Sequence, residues 1–171
     1  MKGELPFMQK AAALQEELMM FMPQEIGDGP LEQEVYLLGM AKKVFMMVAG
    51  AAVQKYGEQL ENEQEVLSNV ADIVSEIYSM ESVILRTEKA LKTSSQEETQ
   101  QKLLLTEVFC QEAFQRIEAG AKEALLAIEE GDTVRTMFSI LRKLTRHMPK
   151  NVIKIKRQIA AKVLAEERYV V

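Results

Sequence analysis

The 171-residue sequence contains little of the chemistry that most active sites need. It has one cysteine, Cys110, one histidine, His147, and no tryptophan. A single cysteine excludes an internal disulfide, which favours a reducing compartment. A lone histidine excludes the paired Glu-x-x-His motifs of a di-metal helical bundle. The sequence also has no glycine-rich phosphate loop of the G-x-G-x-x-G or Walker type.

Segments for export or for a membrane are lacking as well. No basic region followed by an apolar run stands at the N-terminus, so no signal peptide is predicted. The longest strictly apolar run, "VFMMVAGAAV" at 44–53, has ten residues, whereas a bilayer needs about 20. This run predicts a helix that is buried on most sides. Its small residues at 49–52 predict close helix packing, with room for an acyl chain as the alternative.

Helical periodicity is what the sequence does have. Eight Gly and four Pro are few for this length, and no segment alternates as a strand would. Residues 62–91 contain one long seam at spacings of four and three, apolar except for a threonine: Val66, Val70, Ile73, Ile77, Met80, Ile84, Thr87 and Leu91. Such a seam, sustained for more than three heptads, predicts a helix buried along one side.

Capping residues predict where the helices begin and end. Two helices are expected to begin with capping boxes, which pair a polar cap with a glutamate three residues later: Asn62 with Glu65, and Ser95 with Glu98. Gly57 is expected to end a helix that starts near Leu31. Gly131 should end the helix that follows Ser95, Asp132 should cap the next one, at 133–147, and Pro149 should lie in the first turn of the last.

These segments predict an all-α protein, an antiparallel bundle of five to six helices in a single domain. Three parts are expected within it. Residues 1–30 should form an N-terminal helix and a Pro/Gly linker, residues 31–147 the core helical bundle, and residues 148–171 a basic C-terminal helix.

The net charge of −5 conceals an uneven distribution. Residues 135–168 hold ten Lys or Arg and two Glu, whereas residues 1–134 hold eleven Lys or Arg and 24 Asp or Glu. A possible docking surface consists of five cations beside the apolar stripe of the last helix: Lys150, Lys154, Lys156, Arg157 and Lys162. A solvated bundle helix is the favoured interpretation, with docking to an acidic protein surface or to anionic lipid as alternatives. Nucleic acid is not expected, because the whole chain is acidic.

Neither reactive side chain is predicted to be catalytic. Cys110 lies mid-helix between Glu107 and Glu112, which disfavour a thiolate, so a buried or half-buried inert thiol is expected. His147, in "TRHMPK", is expected to be a surface residue that completes the last turn of a helix. No catalytic, cofactor-binding or metal-ligating residue is therefore predicted.

Two motifs carry a resemblance to a known family. They are "NEQEVLSNVADIVSEIYSM" at 62–80 and "CQEAFQRI" at 110–117. The matching positions of the first are Asn62, Glu63, Gln64, Leu67, Ala71, Asp72, Tyr78 and Met80. Together the motifs resemble the C-terminal accessory helical domain of very-long-chain type acyl-CoA dehydrogenases, over about residues 50–130.

This resemblance implies that the chain is one domain of a longer FAD-dependent oxidoreductase of fatty acid β-oxidation. Such an enzyme converts an acyl-CoA to a trans-2-enoyl-CoA and passes electrons to an electron-transfer flavoprotein. The catalytic glutamate and the FAD would belong to the catalytic body, upstream in the same polypeptide. The domain would dock on that body or stabilise it without catalysis or a cofactor of its own, and the parent enzyme would be a homodimer.

The chain departs from this family at its N-terminal side. In members that associate with membranes this segment is basic, but residues 7–34 contain one cation, Lys10, and six acidic residues. Membrane contact is therefore not favoured, and a bacterial cytoplasmic enzyme is expected. The alternative function is a free-standing helical-bundle interaction protein, with a peripheral position at a membrane as one option.

Overall fold

The computed structural model describes residues 26–93 and 95–167, except for the side chains of residues 96–98. These ranges contain no strand. They contain five α-helices, numbered in chain order: α1 Glu32–Tyr56, α2 Gln64–Thr93, α3 Gln96–Ile128, α4 Gly131–Leu144 and α5 Val152–Glu166. A 3-10 segment, Gly57–Asn62, joins α1 to α2. The prediction of an all-α fold is confirmed, and the predicted helix within residues 1–30 lies outside the described residues.

The first three helices form the centre of the bundle. α2 packs most extensively on α3, and α1 lies against both, while α4 contacts α1 and α3, and α5 contacts α3. α2 and α3 run antiparallel, as the contacts of Glu76 with Arg116 and of Thr87 with Thr106 show. α1 runs parallel to α3, and so antiparallel to α2, because Glu34 and Glu107 share Lys150 while Lys55 meets Glu129. The largest fully buried apolar side chains come from four helices: Leu37, Ile73, Met80, Phe114, Ile117, Leu125, Ile128, Leu141 and Leu144.

The predicted seam of α2 is buried or half-buried along all of its length but one end. Leu91 is 39% exposed, and Ala90 is buried in its place. The antiparallel register set by Lys42 and Glu81 brings the first residue of α1 opposite this end of α2. Because α1 begins there, it does not extend far enough to cover the Leu91 side chain. Ala90, the neighbouring residue, is buried instead.

Two helix ends agree with the sequence. Gly57 follows α1 with a positive φ of 54°, and its N–H donates to the carbonyl of Val53. Ser95 immediately precedes α3, and its carbonyl accepts the N–H of Thr99. A residue at φ > 0 suits glycine, which has no Cβ to clash.

Three other helix starts differ from the prediction. α2 begins at Gln64, so Asn62 ends the 3-10 segment and does not cap α2. α4 has Glu130 at its N-cap position, which puts Asp132 in the first turn, and the helix ends at Leu144 rather than at 147. Pro149 lies before α5, because the Asn151 side chain accepts the N–H of Lys154 at 3.0 Å and caps the helix there. The carbonyl of Glu63, one residue after Asn62, accepts the N–H of Leu67, and the Asp132 carboxylate accepts from Arg135 at 3.0 Å.

The apolar run at 44–53 is buried or half-buried throughout, as predicted. The four small residues at 49–52 are all buried, which agrees with close helix packing. By length and composition alone, the segment Glu32–Asn62 could cross a membrane, and 56% of its apolar window is buried within the protein. The central helix of a folded domain has the same properties.

Candidate functional site: a buried ion-pair cluster and the basic helix

A buried ion-pair cluster joins the segment before α5 to α1 and α3. The ammonium of Lys150 lies 2.8 Å from a carboxylate oxygen of Glu34 and 3.3 Å from one of Glu107. The side chain of Glu34 is only 2% exposed and that of Lys150 is 26% exposed. Burial lowers the pKa of Lys150, but its hydrogen bond to Glu34 and the charges of Glu34 and Glu107 outweigh burial and raise the pKa above its ordinary value.

His147 belongs to the same region of the structure. Its Nδ1 donates to the carbonyl of Thr145 over 2.9 Å, and its Nε2 lies 3.3 Å from Oε1 of the buried Gln111. Its ring meets that of Phe114 edge-on, at 5.2 Å and 87°. The prediction of a surface histidine is wrong, because the chain turns back over α3 after Leu144 and lays the imidazole against the core.

Cys110 is fully buried, as the sequence indicates. Burial, with a further contribution from the charge of Glu34, raises the pKa of its thiol to about 12. A thiol with this pKa is not a nucleophile near neutral pH.

The five predicted docking cations separate into two groups. Lys150 and Lys156 turn toward the domain itself, the first in the buried cluster and the second on Glu112 of α3. Lys154 and Arg157 are exposed, and Lys162 is half-buried. The apolar stripe of α5 is buried or half-buried: Val152, Ile155, Ile159 and Val163. The structure therefore leaves Lys154 and Arg157 as the outward cations of the predicted surface.

An open groove of about 330 Å³ runs beside these two cations. It lies along the outer side of α5 and also contains Ile153, which is 63% exposed. The groove is shallow and carries no carboxylate among its lining residues. It can accept an acidic or apolar side chain from another surface, but it contains no group that performs acid–base chemistry near neutral pH.

A second groove, of about 320 Å³, lies between α2 and α3. Asp72, Glu76 and Glu123 line it together with Arg116, whose guanidinium donates to Glu76 at 2.5 and 2.9 Å. This hydrogen bond raises the pKa of Arg116 above its ordinary value. The carboxylates of the groove would repel the pyrophosphate of a dinucleotide, so these residues do not fit FAD.

Within residues 26–93 and 95–167, no group of three or more His, Cys, Asp and Glu could hold a metal ion. Sequence reasoning missed one surface feature, a line of exposed apolar residues on α2. Its signal was present in the sequence as a second regular spacing beside the buried seam: Leu67, Val74, Tyr78 and Leu85.

The five described helices form an all-α domain, and the ion pair of Lys150 with Glu34 holds its last helix in place. The family described as "Acyl-CoA dehydrogenase, C-terminal domain" matches residues 40–143, and the chain belongs to this family. It is 58% identical, over its full length, to a probable acyl-CoA dehydrogenase from Bacillus subtilis (strain 168). It is also similar to the crystal structure of an acyl-CoA dehydrogenase complexed with FAD from Bacillus anthracis, with 64% identity, a TM-score of 0.93 and full coverage of this chain. The chain spans 29% of the length of each of these relatives.

Proposed function

We propose that this chain is the C-terminal accessory domain of a longer, FAD-dependent acyl-CoA dehydrogenase of fatty acid β-oxidation. The whole enzyme would convert an acyl-CoA to a trans-2-enoyl-CoA. The observation that supports this most directly is the match of the entire chain to one part of an FAD-containing acyl-CoA dehydrogenase, at 64% identity.

In this proposal the chemistry belongs to the catalytic body of the same polypeptide. The described residues of this chain supply a buried thiol, a histidine packed on Phe114 and ion pairs that hold α5 in place. None of these groups is arranged as a base beside a substrate, and the groove carboxylates do not fit a flavin. The domain would therefore act by docking on the catalytic body and stabilising it.

The exposed cations Lys154 and Arg157 are proposed to face an acidic protein surface rather than lipid. Charge contacts of this kind give orientation and specificity more than affinity. The parent is further proposed to be of the very-long-chain type, to be a homodimer in the bacterial cytoplasm and to donate electrons to an electron-transfer flavoprotein. Comparing turnover on long-chain and medium-chain acyl-CoAs tests the very-long-chain type. Light scattering tests the homodimer, and reduction of the electron-transfer flavoprotein tests the electron acceptor.

The central experiment compares two polypeptides. The longer polypeptide that carries this chain should purify with bound flavin and reduce an artificial electron acceptor when an acyl-CoA is added. The 171-residue chain alone should show neither property. Flavin-dependent turnover by the 171-residue chain would contradict the accessory role, and a longer polypeptide without flavin would contradict the enzyme assignment.

A further inference from the structure

Four exposed apolar residues of α2 lie along one line on its outer side. Leu67, Val74, Tyr78 and Leu85 are 36, 43, 73 and 58% exposed. They are seven, four and seven residues apart, which keeps them on one side of a helix. At 1.5 Å per residue the line is about 27 Å long. It is distinct from the buried seam of the same helix, to which Ile77 belongs.

α1 contributes a second apolar line beside the first. Val35 is 46% exposed, and Met46 and Val53 are half-buried. Their separations of eleven and seven residues are close to whole numbers of helical turns, so they also share one side of their helix.

An exposed ion pair shows that the two lines lie side by side. Lys42 stands four residues before Met46, and Glu81 stands four residues before Leu85, so each charge lies within the apolar line of its helix. The Lys42 ammonium is 2.7 Å from the Glu81 carboxylate. The pair therefore joins the two lines into one surface, which we call the α1–α2 outer face.

The composition of the α1–α2 outer face is that of an interface. Folded proteins rarely expose large contiguous apolar patches unless these bind something. Lys42 and Glu81 neutralise each other, so the centre of the face carries no net charge to attract a charged ligand. A tyrosine near its middle, Tyr78, is of the residue type enriched in the buried centres of protein interfaces.

We infer that the α1–α2 outer face is the surface by which this domain packs on the remainder of a longer polypeptide. This inference rests on the proposed function and adds a contact on α1 and α2 to the one proposed for Lys154 and Arg157 of α5. More than two thirds of each long relative lies outside the region that this chain matches, so the proposed parent enzyme would supply an intrachain partner of ample size. A permanent contact within one chain suits an apolar face whose central charges neutralise each other, because obligate interfaces are the more hydrophobic kind and need no electrostatic steering.

Charge disfavours lipid as the occupant of this face. Residues 32–93, which contain both apolar lines, hold ten acidic and six basic side chains. Anionic lipid attracts clusters of cations and repels such a surface. The outward cations of the predicted docking surface, Lys154 and Arg157, belong instead to α5.

Cysteine labelling tests the occupant directly, because the native thiol of Cys110 is buried and unreactive. Tyr78→Cys and Leu85→Cys place thiols on the face, and Leu126→Cys is the matched control on α3, where Leu126 is 59% exposed. Each variant is made in the 171-residue chain and in the longer polypeptide. Maleimide labelling is followed by mass spectrometry of the peptide that carries the new cysteine.

The thiols at positions 78 and 85 should react at least about tenfold more slowly in the longer polypeptide, whereas the rate at position 126 should not change. A tenfold slower rate corresponds to a free energy of about 1.4 kcal/mol for opening the contact that covers the thiol. Equal rates in the two polypeptides would overturn the inference, as would the same slowing at position 126.

Two further results would assign the face to another occupant and overturn the inference. The first is slowing in the 171-residue chain that grows with its concentration, which would indicate a second copy. The second is slowing in the 171-residue chain on addition of phosphatidylglycerol vesicles. Flavin content is measured on the same preparations, so a failure of the proposed function is scored independently of the labelling rates.

Discussion

Lys150 and Glu34 form an ion pair across 116 residues of sequence, with the ammonium 2.8 Å from the carboxylate. Glu34 lies in the first turn of α1, and Lys150 lies just before α5. The pair therefore fastens the segment between α4 and α5 to the beginning of the bundle, and it brings α5 onto α3. A carboxylate this deeply buried is tolerated only because its charge is compensated.

Lys150→Met should lower the free energy of unfolding substantially, because it leaves the Glu34 carboxylate buried without its partner. Breaking a fully buried pair costs about 3–5 kcal/mol, and we expect the lower end because Lys150 is 26% exposed. Lys156→Met is the matched control, since its pair with Glu112 is exposed and is worth about 0–1 kcal/mol. Urea denaturation measures both, and equal losses would show that the buried pair is not special.

Thr87, the one polar residue of the α2 seam, pairs with Thr106 of α3, with their hydroxyl oxygens 2.7 Å apart and both residues buried. Thr87→Val alone should cost about 1–3 kcal/mol, because it leaves the hydroxyl of Thr106 buried and unpaired. The double variant, with valine at both positions, should recover most of that loss. Urea midpoints of the two single variants and the double variant measure the coupling, and additive losses would contradict the hydrogen bond.

Ile77→Ala should destabilise the bundle far more than Glu81→Ala. Ile77 is 9% exposed within the core, and truncating such a residue costs about 2–5 kcal/mol. Glu81 pairs with Lys42 on the surface, with side chains 45 and 49% exposed, and such a pair is worth about 0–1 kcal/mol. The urea midpoint of each variant is the measurement, and similar shifts would mean that the buried side of α2 is assigned incorrectly.

The sequence predicted what depends on regular spacing. The seam through Ile73 and Met80, the burial of Cys110 and the end of α1 at Gly57 all follow from local pattern, and the structure agrees. The caps at Asn62 and Asp132 were wrong, because Asn62 belongs to the preceding 3-10 segment and the Asp132 carboxylate pairs with Arg135.

The long-range contacts could not be read from spacing. His147 was placed at the surface because its sequence neighbours are cations, yet its ring meets Phe114, 33 positions earlier in the chain. Lys150 was assigned to an outward surface because it flanks the apolar stripe of the last helix, and it turns inward to Glu34. Both outcomes depend on the path of the chain after α4, which has no periodicity.

Cys110 should make the stability of the protein depend on pH above about 9. Burial raises the pKa of its thiol from 9.0 to about 12 in the folded chain. The thiol therefore ionises first in the unfolded chain, and stability that is fully present below pH 9 falls as pH rises toward 12, by about 1.4 kcal/mol per pH unit. The difference in unfolding free energy between wild type and Cys110→Ala, measured from pH 8 to 10.5, should shrink accordingly.

A second measurement tests the same thiol at one pH. Ellman's reagent at pH 8 should react with Cys110 only after urea unfolds the chain. Rapid reaction of the folded protein would contradict both the burial and the raised pKa. A pH-independent difference between wild type and Cys110→Ala would contradict the raised pKa alone.

Reversing the two outward cations of the α5 groove, with Lys154→Glu and Arg157→Glu, should leave the bundle folded, because substitutions at exposed positions usually change stability by less than about 0.5 kcal/mol. Wild type should bind anionic vesicles weakly at low salt. The stripe of α5 is aliphatic, the helix contains no Trp or Tyr to anchor at a headgroup interface, and residues 1–134 are strongly acidic. Co-sedimentation with vesicles is the measurement. In the longer polypeptide the reversals should loosen the contact of α5, seen as faster proteolysis within residues 148–167. Strong vesicle binding by wild type that the two reversals abolish would show instead that the basic helix recognises lipid.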